Sequence, residues 1–150
     1  MKYINKNFSI EKVKVLNLVK KFDTPIYCYS YKQLKENINI FKNHFKSFNP
    51  LVCFAVKANT NVKIIKEIGM LGLGADVVSI GELMKAIKAG INSKKIVFSG
   101  VGKTINEIGY AIDKKILLIN AESKSEIIAI EKVAKSKNKI VDIGIRLNPN

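Results

Sequence analysis

An α/β fold built on a parallel sheet is predicted by three observations. Apolar, strand-like runs begin at Leu51, Ala75, Ile96, Ile116 and Val141, at intervals of 24, 21, 20 and 25 residues. Between them lie stretches with apolar residues at helical spacing, such as Val62-Ile64-Ile65-Ile68 and Ile127-Ile128-Ile130-Val133. Three strand-to-helix junctions carry a hydroxyl residue followed three positions later by glutamate: Ser79 with Glu82, Thr104 with Glu107, and Ser123 with Glu126. There the hydroxyl can accept from an orphan helix N–H while the glutamate reaches back, which marks a helix start. Strands alternating with helices through short connections pair in parallel by right-handed crossovers. The period suits a (β/α)8 barrel, at roughly 250 residues for eight units. An open doubly wound sheet keeps the same beat, so periodicity leaves both open.

Upstream of this repeat, Ile10 to Lys21 reads as a short amphipathic helix, and Thr24 to Tyr29 as a strand entered through Pro25. Ser30 with Gln33 forms a further cap, opening a helix through about Phe48 with Leu34, Ile38, Phe41 and Phe45 on one face. In the strand Leu51 to Lys57, alternation puts Leu51, Cys53, Ala55 and Lys57 on one face and Val52, Phe54 and Val56 on the other. The bulky set suits packing under helices, so Lys57 falls on the opposite side, behind the small Cys53 and Ala55. In the next strand Asp76 stands near the start. In Val141 to Leu147, Ile143, Ile145 and Leu147 are placed toward helices, leaving Asp142, Gly144 and Arg146 on the other side. No low-complexity linker interrupts the chain.

A length of 150 residues with 47% hydrophobic content is enough for a real core. The net charge of +14 rests on 25 lysines and one arginine, amid abundant Ile and Asn. Such charge spreads over every solvent face, whereas a nucleic-acid stripe would cluster and interleave arginine and aromatics, so no nucleic-acid partner is expected. Cys28 and Cys53 form no CxxC pair, which points to a reduced, cytoplasmic setting. The N-terminus lacks an apolar signal core and no run approaches 18 apolar residues, so no membrane partner is expected either. Gly100-Val-Gly102-Lys103-Thr104 looks like the tail of a phosphate-binding P-loop, but position 97 is Val where that motif needs Gly. His44 is the sole histidine, which leaves no zinc site and no Ser-His-Asp arrangement to assemble.

Lys57 carries the chemistry. Desolvating an ammonium at the end of an apolar strand is costly, and the same setting lowers its pKa and frees the amine to attack a carbonyl. A plainer reading has Lys57 mark the strand's exit to solvent, Asp76 serve as a turn residue and Glu82 act as a helix cap. The plainer reading makes Arg146 a surface charge, but this sole arginine sits on the inward side of what reads as a buried strand, where a planar fork can bind a phenolate or carboxylate.

The segment Phe54-Ala-Val-Lys57-Ala-Asn-Thr-Asn61 resembles the pyridoxal-phosphate decarboxylases of the alanine-racemase fold type, in particular the branch acting on meso-diaminopimelate. The likeness continues through Gly72-Leu-Gly-Ala-Asp76-Val-Val-Ser-Ile-Gly-Glu82-Leu, Lys88-Ala-Gly90 and Ile96-Val-Phe-Ser-Gly-Val-Gly-Lys103-Thr, and ends in Ile145-Arg146-Leu-Asn-Pro149. One departure is Ile80, where the family usually has a small residue. The resemblance implies an incomplete (β/α)8 barrel of about five parallel strands over residues 30–150. Residues 1–29 would contribute to a β-rich second domain. It implies pyridoxal 5'-phosphate as cofactor, bound covalently by Lys57, with Asp76 close by and Arg146 toward the phenolic oxygen. It further implies a carboxy-lyase making lysine from meso-diaminopimelate, a homodimer with shared sites, and a small amino-acid substrate. An ornithine- or arginine-type decarboxylase, or a non-catalytic pyridoxal-phosphate-binding relative, remains the alternative. In the family the phosphate-binding glycines, the pyridine-nitrogen acid and the ring-stacking histidine lie beyond position 150. The chain is therefore expected to be an N-terminal portion, inactive alone.

Overall fold

The computed structural model describes residues 2–4, 6–147 and 149. The chain divides into two units, Met1–Asn49 and Pro50–Asn150. In the first, β1 (Lys2–Ile4), β2 (Asn7–Ile10) and β3 (Val13–Lys14) form an antiparallel sheet in that order. The helix expected from Ile10 begins only at Val15, as α1 (Val15–Phe22). Ile10 instead pairs with Val13 across a tight turn whose Glu11 has a φ of 55°, outside the helical range. The strand expected over Thr24–Tyr29 is also absent: residues 24–29 join no ladder, and Pro25 has no N–H to give one.

Ser30 does start a helix, α2 (Tyr31–His44), its Oγ accepting from the Gln33 amide at 3.1 Å. The Gln33 side chain turns to Asn37 rather than back to the cap. Glu11 takes that reciprocal place, accepting from the Lys32 amide at 2.9 Å and from Ser30 Oγ at 2.7 Å. Those bonds, the Lys32 amide foremost, hold its carboxyl below the ordinary glutamate value. The helix stops at His44, and a 3-10 turn covers Lys46–Phe48.

In the second unit strand and helix alternate: β4 (Cys53–Ala55), α3 (Val62–Met70), β5 (Gly74–Val77), α4 (Ile80–Lys88), β6 (Ile96–Phe98), α5 (Ile105–Asp113), β7 (Leu118–Ala121), α6 (Lys124–Ser136) and β8 (Ile143–Ile145). All four pairings are parallel, and the sheet order β4-β5-β6-β7-β8 follows the sequence. A doubly wound sheet reverses its order at a switch point, whereas a singly wound one curls into a barrel. The helices agree. One sheet face, with Ala75, Val77, Ile96, Phe98, Ile119 and Ala121, packs with Ile65, Leu83, Ala86, Ile108, Ala111, Ile130 and Val133 of α3 to α6 into the core cluster. Val97 and Leu118, on the other face, lie outside that cluster. The α/β barrel geometry expected for residues 30–150 is thus present in five strands from Cys53 onward.

The three hydroxyl caps are in place. Ser79, Thr104 and Ser123 each accept from the amide three residues on, at 3.2, 3.3 and 3.2 Å. Only Thr104 and Glu107 close the reciprocal box. Glu82 and Glu126 reach one residue further back, to the amides of Val78 at 3.0 Å and Glu122 at 2.7 Å. Among the described residues no helix is long and apolar enough to cross a membrane.

Candidate active site

The face of the sheet that carries no helices gathers the polar side chains. Register pairs Ala55 with Asp76, Asp76 with Val97 and Val97 with Leu118, so period-2 alternation adds Cys53, Ser99 and Asn120 to the same face. Register also pairs Asn120 with Gly144.

Lys57 lies just past β4. The strand ends at Ala55, and Val56–Ala58 forms a 3-10 turn in which Val56 is fully buried and Lys57 exposed. The desolvated setting expected for Lys57 is therefore not found. Strand alternation stops before the lysine, which stands exposed in the 3-10 turn. Its ammonium makes no hydrogen bond or ion pair with another described residue.

Asp76 is the third residue of β5 and half-buried. Its Oδ1 accepts from Ser99 Oγ at 2.6 Å, and Ser99 Oγ accepts from Asn120 Nδ2 at 3.0 Å. Burial, and secondly the negative charge of Asp76, push the Cys53 thiol above its ordinary value. Gly74, next to Asp76, has no room for a side chain: a Cβ there would run into the Lys95 carbonyl and Cys53 Sγ.

Arg146 follows β8, which is largely exposed rather than the buried strand expected, because β8 is the last strand in the sheet order. Its amide donates to the Ala121 carbonyl at 3.1 Å, and its guanidinium pairs with Glu122 at 3.4 Å while 57% exposed. Neither Asp76 nor Arg146 makes a hydrogen bond or ion pair with Lys57; all three share the strand-end side of one sheet.

Sequence reasoning missed a buried charge next to this row. The Lys103 side chain is 1% exposed, and its Nζ donates to the carbonyls of Gly100 and Asn120, each at 2.7 Å, and to Glu126 Oε1 at 3.1 Å. The ammonium also lies 5.6 Å from the Phe98 ring centre. Read as a failed P-loop, Gly100-Val-Gly102-Lys103 gave no hint that the lysine turns inward. Ser99 and Asn120 were missed as well, although alternation along β7 puts Asn120 on the same face as Leu118.

The sheet is parallel and singly wound, and an unpaired lysine stands just past its first strand. The family described as pyridoxal-dependent decarboxylase, pyridoxal binding domain, matches residues 31–150, and the chain belongs to it. Among curated relatives, diaminopimelate decarboxylase of Helicobacter pylori (strain J99) is 45% identical over 89% of this chain and 33% of its own length. The diaminopimelate decarboxylase of Aquifex aeolicus is 41% identical over 100% of this chain and 35% of its own. A crystal structure of diaminopimelate decarboxylase from M. jannaschii in complex with L-lysine superposes with a TM-score of 0.96. It shares 38% identity and covers 99% of this chain and 36% of that one. Lysine decarboxylase from Selenomonas ruminantium, at 24% identity and a TM-score of 0.81, shares the fold. The chain spans about a third of the length of the curated relatives it matches.

The residues on this face fit pyridoxal phosphate at its aldehyde end. A primary amine is the nucleophile an aldehyde carbon requires, and Lys57 is exposed and without an ionic partner among the described residues. Asp76 and Arg146 add an acceptor and a planar donor on the same side of the sheet.

Proposed function

We propose that this chain supplies the lysine-bearing part of a pyridoxal-phosphate-dependent diaminopimelate decarboxylase, which removes carbon dioxide from meso-diaminopimelate to leave lysine. The observation that carries the reading is Lys57, an exposed, unpaired amine one turn past β4 in a chain of this family. Pyridoxal phosphate supplies an electron sink for the charge left at Cα when the carboxylate departs, a charge water cannot hold. Lys57 would hold the cofactor at its aldehyde end through Nζ as a neutral amine, with water as the leaving group, and once released from it would offer a proton at the same atom. Asp76 lies on the cofactor side of β5 as a fixed acceptor. Arg146, exposed and paired with Glu122, would hold the phenolic oxygen, a contact suited to a planar guanidinium.

The reading extends to the setting. The antiparallel strands of residues 2–14 support residues 1–29 belonging to a β-rich second domain, and the strands from Cys53 onward support a barrel within residues 30–150. Two free cysteines support a reduced cytoplasm. Homodimer formation follows from the family reading alone.

Reductive trapping tests the assignment. One equivalent of pyridoxal phosphate followed by borohydride is expected to place the pyridoxyl label on Lys57 ahead of the other lysines, and Lys57→Ala to lose that label. Peptide mass spectrometry showing the label spread evenly over the surface lysines would overturn it.

A further inference from the structure

Ser99 and Asn120 take no part in the roles given to Lys57, Asp76 and Arg146, yet they stand on the same face. We infer that Ser99 and Asn120 are positioning residues, a side-chain relay across β5, β6 and β7 that fixes the Asp76 carboxylate beside the strand end carrying Lys57. The purpose of the relay rests on the proposed function; its existence rests on geometry.

The direction of the relay follows from what each group can do. An amide nitrogen only donates, so Ser99 Oγ must accept from Asn120 Nδ2 at 3.0 Å. The serine hydrogen, otherwise free to rotate, is then left for Asp76 Oδ1 at 2.6 Å, a length typical of a hydroxyl on a carboxylate. The middle residue and one end are held by further bonds. The Ser99 amide donates to the Val77 carbonyl at 2.8 Å, and the Asn120 carbonyl accepts from the buried Lys103 ammonium. Gly144 completes the setting, because a Cβ there would fall on Asn120 Oδ1. Asp76 pairs in register with Ala55, and Lys57 is two residues further along the chain. A carboxylate held at one rotamer is worth more to a bound cofactor than one that must be ordered on binding.

Cys53 reports on the relay without any cofactor, since the Asp76 charge bears on its thiol. In the full chain carrying Cys28→Ser, the rate of Cys53 alkylation by iodoacetamide at pH 8 is expected to change about threefold or more in Ser99→Ala, the effect of moving a nearby charge. Asn120→Ala should move it in the same sense. Ser99→Thr, which keeps the hydroxyl, should stay near the parent rate. In an Asp76→Asn background Ser99→Ala should add nothing. A parent-like rate in Ser99→Ala, or an equal change with Asp76→Asn present, would overturn the relay. The yield of borohydride-trapped pyridoxal phosphate on Lys57 should fall at least about threefold in Ser99→Ala and recover in Ser99→Thr. Unchanged trapping with a positive thiol cycle would overturn the positioning role. Failure of the parent to trap cofactor on Lys57 would overturn the proposed function, while the thiol cycle still decides the relay.

Discussion

Lys103 and Glu126, 1% and 9% exposed, form the ion pair most removed from water among the described residues. Each charge is tolerated only because the other and its own backbone partners surround it: the Gly100 and Asn120 carbonyls for the lysine, the Glu122 amide for the glutamate. Removing one partner strands the other. Lys103→Met is expected to lower stability by about 3–5 kcal/mol in urea unfolding, because the Glu126 carboxylate is left buried and unpaired. Lys103→Met with Glu126→Leu should recover most of that loss, though not all, since the Glu122 amide then lacks its acceptor. A double variant no more stable than the single one would show that packing, not charge, sets the cost. The contrast with Lys57 is instructive. Both lysines follow a strand, and composition treats them alike, but one turns under Phe98 and the other stands exposed in a 3-10 turn.

At the scale of the element, the helix starts tell how one short pattern yields two geometries. Glu107 serves two helices: Oε2 accepts from the Thr104 amide and hydroxyl, and Oε1 accepts from the Ile80 amide at 3.1 Å, at the start of α4. These bonds, the Thr104 amide first, hold its carboxyl below the ordinary 4.5. A depressed folded-state value means that the stabilisation is present above the unfolded value and is lost as pH falls through the folded one. Glu107→Ala should cost about 1 kcal/mol at neutral pH. Glu107→Gln should flatten the loss of stability below pH 4.5, followed by thermal melts over a pH series. The hydroxyl-x-x-Glu spacing placed α4, α5 and α6 correctly because the cap is a local contact. Which amide each glutamate finds was not legible, since Val78, Glu122 and Ile80 are set by strand ends and a neighbouring helix. The same limit explains the first unit. The apolar spacing of Ile10 to Lys21 suits a helix, but pairing of Ile10 with Val13 removes its first turn, and nothing local announces that pairing.

For the molecule as a whole, one sheet face is packed under helices and the two outer strands, β4 and β8, have no further neighbour among the described residues. Unpaired strand edges with apolar side chains are templates for association. Ile145 on β8 is 66% exposed, and Leu147 just beyond is 82% exposed. Ile145→Lys is expected to reduce concentration-dependent light scattering without lowering the melting temperature, and equal scattering would place the sticky surface elsewhere. Legibility was greatest at this scale. The beat from Leu51 onward reflects one strand and one helix per unit, and the structure keeps that order without a break. What the beat left open, barrel or doubly wound sheet, was decided by strand order, which depends on contacts between distant segments. One of those contacts is defined by a missing atom. Since Gly144 carries no methyl, β8 can close on the Asn120 amide. A larger residue at this position would act as a wedge, pushing Asn120 aside and so disturbing, through Ser99, the seat of the Asp76 carboxylate.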